Sequence, residues 1–277
     1  MIVHVQHDPE WAAVVGEQWH RHLMEAKLFD RLHSKQGRSI ARWTIVDGGR
    51  EWAVFVKRHY QHPRWQSWLA RAGLGGHLSD AGREWHHLRQ ARTLGLAAPR
   101  PLAMAEWIGP GSRMRSALVV EELAGMLALH EAVPLAARVL PPDRFRQWKQ
   151  SLTAELARMV RLLHESGYFH RDLYLCHFFI HSNDIGCVPE DWRGRVTLID
   201  FHRLTRHFLF RFPSRVKDLA QLLYSARIDG IGVRDLLSFW RSYGGSRLLG
   251  WVVRLKAGRY QRHNRLRDRQ NEPRDVL

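Results

Sequence analysis

Long apolar runs are missing from this 277-residue chain; the longest, such as residues 117–120, span four or five positions. A bilayer-spanning helix needs ~20, so none is expected, and the protein should be soluble or peripheral to a membrane. Cysteine is scarce. Cys176 and Cys187 alone exclude a disulfide-stapled secreted scaffold and fit a reducing cytosol. The opening M-I-V-H-V-Q-H-D-P-E-W has no basic stretch followed by an apolar run, so no signal peptide is expected. Internal repeats and low-complexity tracts are absent. Acidic residues are in deficit: 27 Asp and Glu face 43 Lys and Arg, a net charge of +16. What is present is ordinary for a globular protein, 45% hydrophobic and 25% charged, which excludes wholesale disorder. The length suits one two-lobed domain or two small ones, with a real core.

The positive excess points to an anionic partner, whether nucleic acid, anionic lipid or a phosphorylated glycolipid, or else to a solvated Arg-rich surface. No nucleic-acid-reading motif accompanies the charge, so no specific nucleic acid is expected. Part of the charge is terminal: Arg254, Lys256, Arg259, Arg262, Arg265, Arg267, Arg269 and Arg274 are opposed only by Asp268, Glu272 and Asp275. Residues 254–277 therefore read as a basic tail, a frayed helix or disordered. The 12 tryptophans should be mostly core. Trp65 and Trp68, set among His62, Arg64 and Arg71, are candidates for contact with lipid headgroups or sugar faces.

Residues 40–46 alternate in part as a strand, and Asp47-Gly48-Gly49 makes a hairpin turn. Residues 51–57 follow as a second strand with Trp52, Val54 and Val56 on one side and Ala53 and Phe55 on the other, expected to be covered on both faces. Ser79 is the expected N-cap of a helix running to Leu94, with Gly95 after it and an apolar stripe of Trp85, Leu88, Ala91 and Leu94. The segment around Pro99 and Pro101 breaks the pattern. Residues 117–120 read as a buried strand, followed by Glu121, Glu122 and Gly125. The second half reads helical. Asp143 is the expected cap of a helix whose core stripe is Phe145, Trp148, Leu152, Leu156, Met159, Val160 and Leu163, ended by Gly167. Residues 176–180 and 196–199 form a hairpin, and residues 216–226 and 236–243 are helical. The composition shift near residue 122 divides a small β-rich lobe, 1–122, from a helical lobe, 123–253, and the tail.

The chemistry concentrates at His170-Arg171-Asp172-Leu173 and at the end of the hairpin's second strand, Leu198-Ile199-Asp200-Phe201. The hairpin can set Asp172 and Asp200 side by side. Phosphoryl transfer needs such a pair, one carboxylate to orient and deprotonate the acceptor hydroxyl and one to hold Mg²⁺ against the phosphates. It also needs a restrained cation on the phosphates. Lys57, at the end of an apolar strand, can supply it, and Glu84, early in the next helix, can reach Lys57.

This ordered set, V-F-V-K at 54–57, Glu84 on a helix, H-R-D-L at 170–173 and D-F at 200–201, resembles the protein-kinase-like fold over residues 40–225. The run F-H-R-D-L-Y-L-C-H-F-F-I at 169–180, with I-D-F-H-R at 199–203 and R-E-W at 83–85, is similar to bacterial lipopolysaccharide core kinases. The resemblance fades in the first 25 and the last 30 residues. It implies an α+β bilobal fold and an ATP- and Mg²⁺-dependent kinase. The expected acceptor is a heptose or Kdo sugar of the inner core, an anionic glycolipid met at the cytoplasmic face of the inner membrane. It implies Asp172 as catalytic base, Asp200 as the main Mg²⁺ ligand, and Lys57 on the ATP phosphates paired with Glu84. Lys35, Gly37, Arg38 and Glu121 are counted with them at the nucleotide.

His177 stands where protein kinases carry a metal-binding Asn. It can bind a second metal, hydrogen-bond a phosphate, or orient Asp172; imidazole matches Mg²⁺ poorly. The phosphate-covering loop, residues 34–39, has one glycine, Gly37, with Lys35 and Arg38 as compensating cations. His202 replaces the glycine of an Asp-Phe-Gly triplet, so no flip of that triplet is expected. Asp218, close after Asp200, is expected to brace the catalytic loop, and the short stretch between them favours a small-molecule or glycolipid acceptor over a peptide. Cys176 is expected to pack under the loop. The alternatives are a kinase of another small molecule or protein, and a pseudokinase or basic binding module.

Overall fold

The computed structural model describes residues 2–16, 18–24, 31–33, 37–47, 50–63, 66, 69, 79–109 and 113–271. The chain forms two compact units, Met1–Ala124 and Gly125–Leu277. Lys35, Arg64, Trp65, Trp68, Arg71 and the Gly48-Gly49 turn lie outside the described residues, as do residues 272–277.

The first unit is built on an antiparallel sheet, six-stranded among the described residues, in the order β1-β5-β6-β4-β3-β2. Its strands are β1 (Ile2–His7), β2 (Arg31–His33), β3 (Arg38–Asp47), β4 (Arg50–His59), β5 (Pro101–Ile108) and β6 (Met114–Glu121). The expected hairpin is β3–β4, with Asp47 opposite Arg50. Two short helices precede it, α1 (Pro9–Val15) and α2 (Trp19–His22). Asp8 caps α1 by accepting from the Glu10 N–H, and Pro9 occupies the first turn, where its missing N–H costs nothing.

One face of the sheet holds the apolar core. Val54 and Val56 are fully buried there with Trp11, Trp19, Leu102, Ala117 and Val119. Trp11 meets Trp19, Trp43 and Trp52 edge-on, with centroids 5.9–6.1 Å apart, an arrangement that adds aromatic quadrupole attraction to the area buried. The opposite face is less covered than expected, since Ala53 and Phe55 are only half-buried. There α3 (Asp80–Thr93) packs, capped by Ser79, whose Oγ accepts from the Gly82 N–H at 2.8 Å. Gly95, at φ +81°, follows the helix in the left-handed conformation. Trp85, Leu88 and Ala91 form its buried stripe, while Leu96 takes the place expected for Leu94. Ser79 also donates its hydroxyl to the buried Glu106 carboxylate on β5. Ser79→Ala therefore removes a cap and a donor to a buried anion; we expect a loss of ~2 kcal/mol, read from the denaturant midpoint.

The second unit carries β7 (Met126–Ala128), α4 (Leu129–Val139), α5 (Pro142–Glu165), β8 (Tyr168–Phe169), β9 (Phe178–His181), β10 (Thr197–Leu198), β11 (Thr205–Arg206), α6 (Arg211–Ser225), α7 (Val233–Tyr243) and α8 (Arg247–Asn271). Helix α5 starts two residues earlier than expected. Pro141 sits at the cap with Pro142 inside the first turn, and Asp143 is within the helix, where its charge still favours the positive end. Trp148, Leu152, Met159, Val160 and Leu163 are buried as the spacing predicts. The 176–199 hairpin is present as β9–β10, with β7 added on the other side of β9. The basic C-terminal stretch is helical to Asn271 and buries Val253 and Ala257.

Candidate active site

In the first unit Lys57 lies within β4, opposite Ile40 of β3 and Leu118 of β6. The strand runs on through the buried Arg58 and His59, so Lys57 is held from both sides rather than placed at a strand end. Its Nζ donates to Glu84 Oε1 at 2.5 Å. Glu84 is 4% exposed, so the pair fixes the ammonium against a carboxylate that solvent cannot reach. Gly37, at φ +57°, turns the chain into β3 and accepts the Tyr60 N–H at its carbonyl. Arg38 opens β3 opposite His59, and its Nε is buried without a hydrogen-bond partner among the described residues. Glu121 ends β6 opposite Val54, three positions along from the Leu118–Lys57 pairing, and its N–H is taken by the Arg100 carbonyl.

In the second unit the loop carrying Asp172 follows β8 and the loop carrying Asp200 leads into β11, and these strands pair, Phe169 with Thr205. The loop is braced from α6. Asp218, wholly buried, accepts the N–H groups of His170 and Arg171 at 2.7 Å each. Arg171 has φ +65° and Asp200 has φ +68°. Both are non-glycine residues in the left-handed region, a cost of ~1 kcal/mol or more that the surrounding bonds must offset. His164 donates Nε2–H to Asp218 at 3.3 Å and accepts the Tyr243 hydroxyl at Nδ1, 2.9 Å. Burial holds His164 below its ordinary pKa and raises Tyr243 to about 12, so both stay neutral in this arrangement. His170 is also kept neutral by burial, and its Nε2–H donates to the Ile199 carbonyl at 3.0 Å, joining the two loops. Asp218→Ala is expected to cost ~3 kcal/mol or more, because two buried N–H groups lose their acceptor. Asp218→Asn, which keeps one acceptor, should lose less; chemical denaturation of both variants checks the order.

Asp172 and Asp200, both half-buried, converge with His202; one ligand atom from each lies within 4.8 Å of the others. Asp200 Oδ1 also contacts His202 Nδ1. His177 donates Nδ1–H to the Asp172 carbonyl at 2.7 Å, and its Nε2 lies 3.7 Å from Asp200 Oδ2. Burial lowers its pKa, but the Cys176 sulfur, the Asp172 carbonyl and the Asp200 carboxylate outweigh burial and hold it at about 8. Three residues that the sequence left unassigned touch this centre. Gln221 donates to Asp172 Oδ1 at 3.4 Å while its Oε1 accepts the Leu173 N–H. Arg203 approaches Asp172 Oδ2 at 3.8 Å, and His202 completes the cluster. Gln221 stands one helical turn after Asp218, a spacing that puts both on one face and could have flagged it.

A braced loop bearing one carboxylate, a second carboxylate converging on it, and a restrained lysine on a sheet are groups that phosphoryl transfer to an alcohol can use. This is a protein of the kinase-like α+β class. Residues 71–243 match the Lipopolysaccharide kinase (Kdo/WaaP) family, and the chain belongs to that family. It is 32% identical over 259 residues to the lipopolysaccharide core heptose(I) kinase WaaP of Pseudomonas aeruginosa, covering 88% of this chain and 90% of that one. It is 28% identical over 227 residues to the 3-deoxy-D-manno-octulosonic acid kinase of Xylella fastidiosa, 74% and 81% of the two chains. Among solved structures it is similar to WaaP in complex with acyl carrier protein, with a TM-score of 0.66, 27% identity and coverage of 98% and 100%. The chain is thus a lipopolysaccharide core kinase that uses ATP to phosphorylate a sugar hydroxyl. Among the described residues no helix is long and apolar enough to cross a membrane.

Proposed function

We propose that this kinase phosphorylates a heptose of the inner core, with Asp172 as general base and Mg²⁺ held by Asp200. The observation that carries the reading is the convergence of Asp172, Asp200 and His202 on one point. Carboxylate oxygens suit a hard cation, and a bound Mg²⁺ would neutralise charge on the phosphates. Asp172 accepts the proton of the acceptor hydroxyl, and Gln221 and Arg203 orient its two oxygens. His177 acts as a positioning residue through the Asp172 carbonyl. Lys57, fixed by Glu84, neutralises the ATP phosphates, and Arg38 and Gly37 lie at the turn that covers them. Lys35 and Glu121 complete the nucleotide set on the resemblance alone. The protein works peripherally at the cytoplasmic face of the inner membrane.

Heptose is preferred to Kdo because the heptose kinase aligns with more of the chain at higher identity. The test is fragmentation mass spectrometry of dephosphorylated core oligosaccharide after incubation with Mg-ATP. A phosphate on heptose is expected; one on Kdo overturns the sugar assignment.

A partner like that of the similar WaaP structure is supported by an apolar cavity of ≈ 100 Å³ in the second unit, lined by residues including Leu152, Leu156, Leu219, Leu222, Phe239 and Trp240. Co-elution with acyl-loaded, but not with unloaded, carrier protein is the expected result; no co-elution with either removes this reading.

A further inference from the structure

We propose that the segment from Arg203 to Lys217 is the surface with which the protein docks on an anionic lipid bilayer, its Phe208-Leu209-Phe210 tip entering the headgroup region. The proposal rests on the lipopolysaccharide reading, because such an acceptor is anchored in a membrane by its lipid part. Phe208 is 73% exposed, Leu209 91%, Phe210 64% and Phe212 51%. Single exposed apolar residues are ordinary, but four large ones within five positions are not.

The tip is held outward rather than left to collapse. On one side β11 pairs with β8, and the His207 N–H donates to the Gly167 carbonyl at 3.0 Å. On the other side the Arg211 guanidinium donates to the carbonyls of His164 and Glu165 at the end of α5, at 3.1 and 3.0 Å. The His207 ring meets Phe210 edge-on at 6.3 Å. These contacts fix the base of the turn on both flanks and leave Leu209 at its apex.

Charge complementarity identifies the occupant. Between Asp200 and Asp218 the chain carries Arg203, Arg206, Arg211, Arg215 and Lys217 and no acidic residue. The Arg206 guanidinium lies over the Phe208 ring at 4.8 Å and the Tyr168 ring at 5.5 Å. An aromatic and aliphatic tip with Arg206 over its Phe208 ring, in a segment with five basic and no acidic residues, has the composition of an interfacial anchor, with rings at the acyl boundary and basic groups near the phosphates. A protein partner would need a pocket shaped to this convex turn, whereas a bilayer accepts it without one. The same segment leads out of the Asp200 loop, so docking here brings the reacting carboxylates to the membrane surface from which the core sugars rise.

The test uses the full chain and sedimenting vesicles of phosphatidylethanolamine with phosphatidylglycerol. Wild type should bind them, bind less as salt rises, and bind phosphatidylcholine vesicles less. The variant Phe208→Ser with Leu209→Ser and Phe210→Ser should partition at least ~10-fold more weakly, and Phe208→Leu with Phe210→Leu should bind like wild type. Transfer to delipidated core oligosaccharide should be unchanged in both variants, which also shows that they fold. Equal sedimentation of wild type and the serine variant overturns the proposal. So does a serine variant that keeps vesicle binding but loses acyl carrier protein binding. Transfer to the soluble core reports the acceptor and sedimentation reports the docking, so either reading can fail without the other.

Discussion

Asp172→Asn should lower the rate of phosphoryl transfer by ~10²–10⁴-fold, the usual contribution of a positioned general base, while ATP binding is nearly unchanged. The size of the effect follows from how firmly this carboxylate is placed. Its backbone carbonyl is held by His177, its Oδ1 by Gln221, and its Oδ2 faces Arg203. The loop behind it hangs on Asp218. Asparagine keeps the shape and one acceptor oxygen but cannot take the proton. Stability should therefore move by no more than ~1 kcal/mol. Single-turnover kinetics with prebound ATP, set beside nucleotide affinity, separates the chemical step from binding. A parallel fall in both would mean that Asp172 serves the nucleotide rather than the acceptor.

Asp200→Asn is expected to be comparably severe, ~10³-fold, with a distinct signature in the magnesium dependence. Asp200 sits at φ +68° with His202 on Oδ1 and His177 near Oδ2. Replacing the carboxylate removes the anionic oxygen that best suits a hard cation and leaves imidazoles, which suit it poorly. Residual activity should need a higher Mg²⁺ concentration for half-saturation, whereas Asp172→Asn should shift that requirement far less. Titrating Mg²⁺ against rate for both variants checks the division of roles. An unchanged magnesium curve in the Asp200 variant would remove it from the metal site.

Much of this was legible in the sequence where a signal was local. The α3 helix announces itself through Ser79 and Gly95, and the loop motifs place Asp172 and Asp200. Local signals also explain the losses. Strand β5 is buried along its whole length, so its residues do not alternate, and Pro101, permitted as the first residue of a strand, reads as a break. Helix α4 carries Pro134 in its interior and persists because Leu129, Ala132, Val133 and Ala136 are buried. The Asp8-Pro9 start of α1 was a readable cap followed by only seven helical residues. In the site, Arg203 and His202 meet Asp172 across elements, a reach that no spacing along the chain encodes, whereas Gln221 had its one-turn offset from Asp218 as its only signal. The His164–Asp218 contact likewise joins α5 to α6. His177 was recognised from its place in the motif, and its bond to the Asp172 carbonyl is the contact on which the proposed orienting role rests.

The most direct measurement is the mass of dephosphorylated lipopolysaccharide core after incubation with Mg-ATP and the purified chain, with Asp172→Asn alongside. The account predicts a gain of one phosphate that requires ATP and Mg²⁺ and disappears in the variant. A chain that binds ATP yet leaves the core mass unchanged, or an Asp172→Asn variant that transfers as well as wild type, would contradict it.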